Sequence, residues 1–190
     1  IFPNYDMVVF DEAHNIEKVA RDYFSYEVSK YAFTKAMNNI YRVSRGSSKK
    51  LGSLQILKNF LKNSIKNDKL LKEYTKRIDE ELILKHNLLY ERTMDYFVKL
   101  MDIYCSEGVN ANIRLRPEQL AKNFKWQKEL KPRQEEFFSA YISYIKELRK
   151  IAKEAKDYED EAGLIREFEK YVDRLDGFFL NFRFILDFSG

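Results

Sequence analysis

The chain of 190 residues is 45% hydrophobic, 34% charged and 15% aromatic, a composition typical of folded globular proteins that excludes a disordered chain. Its single cysteine, Cys105, excludes a disulfide framework or a thiolate metal cluster within the chain, and no apolar run approaches the roughly 20 residues of a membrane span. A reduced, cytoplasmic compartment is therefore the expected location. The net charge of +4 is compatible both with nucleic-acid binding and with an ordinary surface of mixed charges.

The start of the chain predicts a buried strand. The first residue is Ile1 rather than Met, which indicates that the chain belongs to a longer polypeptide. The apolar run Met7-Val8-Val9-Phe10 predicts a short strand covered on both faces, as in a parallel sheet. The strands that would pair with it are expected to lie outside this chain.

Most of the remaining chain predicts helices, because glycine and proline are scarce and apolar residues recur three and four positions apart. The predicted helices run from Glu12 to Asp22, from the N-cap Ser29 to Tyr41, from Ser53 to Ile65, from Leu70 to Tyr104, from Gln134 to Tyr158 and over residues 164–186. The stretch from Leu70 to Tyr104 lacks glycine and proline, so it should form one long helix or two helices with a kink.

The last predicted helix has two adjacent apolar stripes. One stripe consists of Ile165, Phe168, Val172, Leu175, Phe179, Phe182 and Leu186, and the other of Leu164, Tyr171, Phe178 and Ile185. Two stripes predict a broad apolar face that packs against more than one neighbouring helix. Gly177 would either weaken this helix locally or allow another helix to come close.

Short strands and loops are predicted between the helices. Residues 44–50 are expected to form a polar loop, and residues 106–133 an irregular stretch. Alternating side chains predict short strands at Phe24–Val28 and Asn112–Arg116, and we expect these two segments to pair as a small sheet.

Two acids follow the first predicted strand directly, in the sequence Asp11-Glu12-Ala13-His14. A buried parallel strand delivers its C-terminal residues to the crevice where ligands bind, so these side chains are candidates for nucleotide hydrolysis. Asp11 would hold Mg²⁺ through water, Glu12 would take a proton from the attacking water, and His14 would sense the phosphate. The simpler interpretation, two acids favoured by the dipole at a helix start, explains neither the strand nor the histidine.

The stretch Asp6-Met7-Val8-Val9-Phe10-Asp11-Glu12-Ala13-His14-Asn15-Ile16 resembles motif II of the iron–sulfur DEAH-box DNA helicases of superfamily 2, the DinG and XPD family. The continuation Asn15-Ile16-Glu17 is what points to this branch. In that family a long helical insertion, the arch, follows the box, and the region after Asp22 is similar in length and helicity. The resemblance implies that residues 1–21 end a segment of the first motor domain and that residues 22–190 form the arch.

The resemblance also implies the activity of an ATP-dependent helicase that moves 5′ to 3′ and whose arch encloses single-stranded DNA. Asp11 would bind the Mg²⁺ of Mg-ATP, Glu12 would be the catalytic carboxylate, and His14 would couple the ATP state to DNA binding. The family's phosphate-binding loop and four cysteines precede the box, and this chain contains neither. The chain alone is therefore predicted to be inactive, and the ligands of any iron–sulfur cluster of the parent protein lie outside it.

A basic stretch is the candidate contact for single-stranded DNA. It interleaves cationic and aromatic side chains: Lys122, Phe124, Lys125, Trp126, Lys128, Lys131 and Arg133. Lys122, Lys125 and Lys128 would follow the phosphates, and Trp126 would stack on a base. The alternative is a solvated helix face with one buried ring, since neighbouring acids dilute the positive charge.

Taken together, the sequence predicts a mainly α protein. It should contain the long antiparallel helices of an arch insertion, a short two-stranded β element and one motor-domain strand. The predicted partners are single-stranded DNA and ATP, without membrane contact. The rival function is a helical module whose apolar stripes bind a partner protein without contacting DNA, although an arch can also bind proteins.

Overall fold

The computed structural model describes residues 15, 28–44, 46, 48–104, 122–158 and 163–186. Within these ranges the protein is mainly helical with a short two-stranded antiparallel sheet, which confirms the predicted fold class. The predicted strand at residues 7–10, the DEAH box, the segment 112–116 and all but Val28 of the segment 24–28 lie outside the described residues.

The first helix, α1, spans Lys30–Ile40, and a small sheet follows it. The Ser29 side chain caps α1 as predicted, because its hydroxyl oxygen accepts a hydrogen bond from the Ala32 amide at 3.2 Å. Strand β1 (Arg42–Val43) pairs with β2 (Lys50–Leu51). The sequence predicted neither strand and assigned Lys50 to a loop, because two-residue strands are too short to show an alternating pattern.

Gly52 joins β2 to the next helix in a conformation that requires glycine. Its φ is +105°, and a Cβ at this position would lie 2.5 Å from the carbonyl oxygen of Ile40. Helix α2 (Ser53–Ser64) begins directly after it. The sheet is thereby held close against the end of α1.

A single long helical run follows α2. It consists of α3 (Asp68–Lys76), a π-helical segment π1 (Arg77–Leu82) and α4 (Ile83–Tyr104). The helical hydrogen bonding predicted from Leu70 to Tyr104 is therefore continuous, and a π-helical segment lies within it. Asn67 caps its start, since the side-chain oxygen accepts hydrogen bonds from the amides of Lys69 and Leu70.

The second half contains a π-helical segment π2 (Trp126–Leu130), helix α5 (Lys131–Ala155) and helix α6 (Leu164–Leu186). The prediction of irregular structure up to Arg133 is wrong for this part, because π2 runs directly into α5. Trp126 and Leu130 are buried four residues apart, a helical spacing that the surrounding lysines obscured in the sequence.

Helices α1, α4, α5 and α6 form the core bundle, and ring contacts define the direction of α4 and α6. The Phe33 ring of α1 lies 5.8 Å from Tyr90 of α4 and 6.0 Å from Phe179 of α6. Further along both helices, the Tyr96 ring lies 5.6 Å from that of Phe182. From the first contact to the second, residue numbers rise in both helices, from Tyr90 to Tyr96 in α4 and from Phe179 to Phe182 in α6. Helices α4 and α6 are therefore parallel.

The other two helices of the bundle run against α4. Tyr41, just after α1, contacts His86 near the start of α4, with 5.4 Å between the ring centroids. In α5, Phe137 lies 5.0 Å from Tyr96, whereas the later residue Tyr144 lies 5.6 Å from His86. Residue numbers fall along α4 as they rise along α1 and α5, so both are antiparallel to it.

These directions place the ends of four helical segments at the same end of the bundle. The start of α1, the end of α4, the start of π2 and the end of α6 lie at one end of the bundle, here called the junction end. The opposite end, here called the far end, contains α2, α3 and the C-terminal half of α5. Arg77 of π1 pairs there with Glu147 and Glu154 of α5, at 3.2 Å and 2.6 Å.

The broad apolar face predicted for α6 is confirmed. The first stripe is buried from Ile165 to Phe182, and the second stripe is half-buried beside it. This face packs against α1, α2 and α5. A Cβ at Gly177 would meet no atom within 4 Å, so the alternative in which this glycine admits a neighbouring helix is wrong.

Candidate nucleic-acid interface

The predicted lysine patch lies at the junction end, on π2 and the residues just before it. Lys122, Lys125 and Lys128 are all exposed, as is Lys131 at the start of α5. We call these four residues the lysine patch. None of them forms an ion pair with an acid of the part of the chain that the structure describes.

The two aromatic residues of this stretch have opposite environments. Trp126 is only 6% exposed and belongs to the core, which is the buried-ring alternative of the sequence analysis. Phe124 is 72% exposed beside the lysines. A ring can stack on a base only through an open face, so Phe124 rather than Trp126 is suited to that role.

Acids near the patch are engaged by other cations. Glu129 forms an ion pair with Lys99 of α4 at 2.5 Å, and Asp95 forms one with Arg133 at 2.8 Å. The contact with Lys99 lowers the pKa of the Glu129 carboxyl, and the same contact raises the pKa of the Lys99 amino group. Because Glu129 is already paired, it offsets the charge of the lysine patch less than the sequence suggested.

Asp11, Glu12 and His14 lie outside the described residues, so the geometry of the predicted nucleotide site is not defined here. Among the residues that the structure does describe, no group of three or more histidine, cysteine or acidic side chains is arranged to hold a metal ion. In the same part of the chain, none of the helices combines the length and apolarity needed to cross a membrane.

The described histidine in the bundle has a structural role. His86 is buried, and its Nδ1 lies 2.9 Å from the hydroxyl oxygen of Tyr144. Burial lowers the pKa of His86 to about 4, so the ring is neutral near pH 7. The neutral ring and the Tyr144 hydroxyl share one hydrogen bond, in which the tautomer of His86 decides which group donates.

Two further surfaces were not found from the sequence. One is a groove between α5 and α6, where Phe138, Ile142 and Leu180 expose apolar surface. The other is an outward row of cations on α6, formed by Arg166 and Lys170 with Arg174. The four-residue spacing of these cations could have predicted the row from the sequence. It was overlooked because the apolar stripes of the same helix are the stronger pattern.

Comparison with known proteins adds no family to these observations. No protein-family model, no curated protein and no solved structure matches the chain.

Proposed function

We propose that this chain is the arch of an ATP-dependent DNA helicase of the DinG and XPD type, preceded by the DEAH box of its first motor domain. The observation that carries the proposal is the sequence from Asp6 to Ile16, an apolar run leading straight into Asp11-Glu12-Ala13-His14. A long helical region follows it, which is the order of elements in that family.

The arrangement of the bundle supports an insertion. A domain inserted into another must receive and return the chain at neighbouring points. Here α1 begins and α6 ends at the junction end, although 156 positions separate Lys30 from Leu186 in the sequence. This proximity is what an arch inserted into a motor domain needs.

The roles of the motif residues follow from the chemistry of ATP hydrolysis. The Mg²⁺ bound with ATP neutralises charge on the phosphates. Asp11 would hold the hydrated ion, and Glu12 would take the proton of the attacking water. His14, two residues further, would contact the phosphate and change its contacts when the phosphate leaves. The phosphate-binding loop would come from the part of the helicase that precedes this chain.

The lysine patch suits the DNA side of this proposal. It lies at the junction end, which in an insertion is the end nearest to the host domain. A strand held between the arch and the motor would pass there, with phosphates near the lysines and an unpaired base near Phe124.

The test is Glu12→Gln in the full-length protein. The amide keeps the shape of the side chain but cannot accept the proton, so hydrolysis should be lost while ATP binding is largely retained. Glu17→Gln, in the same segment but outside the box, is the matched control and should hydrolyse ATP normally. Unwinding by the Glu12→Gln protein at a near-normal rate would refute the proposed role of the DEAH box.

A second candidate function is favoured by the apolar groove between α5 and α6. Ile142 and Leu180 are 60% and 56% exposed there, which is unusual for large apolar side chains close together. A helical module that binds a partner protein would use such a groove. Binding of single-stranded DNA that weakens with salt would favour the helicase arch, whereas no DNA binding at any salt concentration would favour the protein-binding module.

A further inference from the structure

We propose that the outward face of α6 at the far end is a second phosphate-binding surface for single-stranded DNA, formed by Arg166, Lys170 and Arg174. The proposal rests on the proposed helicase function and adds a contact far from the lysine patch. All three side chains are exposed, and none pairs with an acid among the residues that the structure describes. We call them the α6 cation row.

Three of the four acids of α6 pair with cations outside this row, and the fourth, Glu167, lies beside the row. Glu169 pairs with Lys156 at 2.6 Å, and Asp173 and Asp176 both pair with Arg149 of α5. Asp176 also accepts a hydrogen bond from the Tyr141 hydroxyl. Three of the four negative charges of the helix are thus paired with cations outside the row, so the three cations together with Glu167 carry a net charge of +2 (three positive and one negative).

The spacing of the row argues against an ordinary solvated face. Positions four apart are neighbours on a helix surface, so each cation of the row lies next to another cation. Such like-charge neighbours repel, and the one acid beside them, Glu167, offsets only part of their charge, whereas a typical solvated face alternates acids with bases. A row that repels itself in the free protein becomes favourable when a polyanion lies along it.

The row also has a shaped surface. Together with Gly163, Glu167 and Tyr171, its three cations line a shallow concavity. The Arg174 guanidinium lies 5.5 Å from the centroid of the Tyr171 ring, a cation–π contact that holds the side chain in place. The Tyr171 hydroxyl donates a hydrogen bond to Glu167 at 3.3 Å, which orients the ring.

The distance between the two basic surfaces determines which DNA can contact both. Helix α5 spans 25 residues between the junction end and the far end, or roughly 37 Å at about 1.5 Å per residue. An oligonucleotide of about 4 nucleotides is too short to span this length, whereas one of about 16 nucleotides is long enough. Loss of the row should therefore weaken the binding of long strands more than that of short ones.

The experiment compares binding of oligo-dT by full-length protein and by the triple variant Arg166→Ala, Lys170→Ala and Arg174→Ala across a salt series. Each lost contact should lower the slope of log affinity against log salt by about 0.7, so the triple variant should lose about 2 for long strands. A second variant with glutamine at the same three positions keeps the side chains polar and long and should give the same loss. Thermal unfolding of both should stay close to that of the wild type, because no described ion pair is removed and the exposed contact of Arg174 with Tyr171 contributes only about 0.5–1 kcal/mol.

The matched control is Lys62→Ala, Lys69→Ala and Lys72→Ala, which removes the same charge from exposed positions of α2 and α3. It should change the slope little. An equal loss in the control would show a diffuse effect of net charge and overturn the proposal, as would an unchanged slope in the α6 variants. If wild-type protein binds no single-stranded DNA, the proposed helicase function fails with it, whereas normal wild-type binding with unchanged variants overturns only the α6 contact.

Discussion

Both ends of the bundle have buried apolar side chains and ion pairs between helices, but the two ends differ in their rings and in how deeply the ion pairs are buried. At the junction end, Tyr96, Phe137 and Phe182 form a cluster of buried rings with centroids 5.0 to 5.6 Å apart. At the far end, ion pairs such as Arg77 with Glu147 and Glu154 join the helices. Large buried rings therefore distinguish the junction end, and the ion pairs of Arg77 at the far end are more deeply buried than the pair of Lys99 with Glu129 at the junction end.

This difference leaves each end with its own free charges. Because rings hold the junction end together, the lysine patch is not needed for packing there. At the far end, the acids are used between helices, and the α6 cation row is left outward. Both surfaces can bind an anion without breaking a described ion pair.

The largest expected effect is at the ring cluster. Phe137 is fully buried among Tyr96, Phe179 and Phe182, so Phe137→Ala should lower the free energy of unfolding by about 3–5 kcal/mol. Denaturant unfolding of the two proteins measures this loss. Phe184→Ala, at an exposed position of the same end, is the control and should cost far less. Similar losses in both would show that the junction end is not held by its rings.

The next effect is a dependence on pH at the middle of the bundle. Burial lowers the pKa of His86 to about 4, whereas the unfolded chain titrates near the ordinary value of 6.5. The unfolded state therefore binds more protons between these values, so stability is full above pH 6.5 and falls as pH drops towards 4. The loss should reach roughly 3 kcal/mol, at about 1.36 kcal/mol per unit of pKa difference.

Unfolding measured from pH 7 to pH 4 tests this expectation against the variant His86→Gln. The amide oxygen can accept the hydrogen bond from Tyr144 but does not titrate. Both proteins contain the same acids. Subtracting the variant's free energy of unfolding from that of the wild type at each pH therefore removes the contribution of the acids and leaves that of His86. Parallel profiles for the two proteins would mean that His86 is not buried in its neutral form.

The far end should respond to the loss of a single cation. Arg77→Met keeps much of the side chain's apolar stem but leaves Glu147 and Glu154 without their guanidinium partner. The free energy of unfolding should fall by about 1–3 kcal/mol, because these carboxylates are partly buried. Added salt should reduce the difference from the wild type, unlike the loss at Phe137. Lys76→Met, at an exposed pair, should have almost no effect.

The sequence predicted much of the fold because the apolar residues of a helix recur at a characteristic spacing. The two stripes of α6 and the unbroken helical run that ends at Tyr104 both followed from apolar residues three and four apart. The strands β1 and β2 could not be predicted, since two residues show no alternation. The helical character of π2 was missed because the lysines in and around it outnumber its two buried apolar residues, Trp126 and Leu130.

The candidate site was less predictable than the fold. The motif identified Asp11, Glu12 and His14 by residue type and order, and these assignments remain predictions. In the basic stretch, composition located the lysines but could not distinguish the buried ring from the exposed one. Burial depends on which helices pack against π2, and no local pattern contains that information.

The smallest expected effect separates the two rings of that stretch. If Phe124 stacks on a base, Phe124→Ala should weaken the binding of single-stranded DNA by about 1 kcal/mol, at the lower end for one stacked base. Its thermal stability should hardly change, because the ring is exposed. The slope of affinity against salt should also stay the same, since no charge is removed.

Trp126→Ala should behave in the opposite way. Removing its buried ring should lower stability by several kcal/mol, roughly 3–5, while the folded fraction keeps its DNA affinity. Tyr31→Ala, another exposed aromatic position on α1, controls for a general loss of surface rings and should leave DNA binding intact. Both variants should be compared at a temperature where the Trp126 variant is fully folded. If that variant then binds more weakly and the Phe124 variant binds normally, Trp126 is the ring that stacks on the base. That result would also mean that the π2 segment opens when DNA binds, since a base reaches only a ring with an open face.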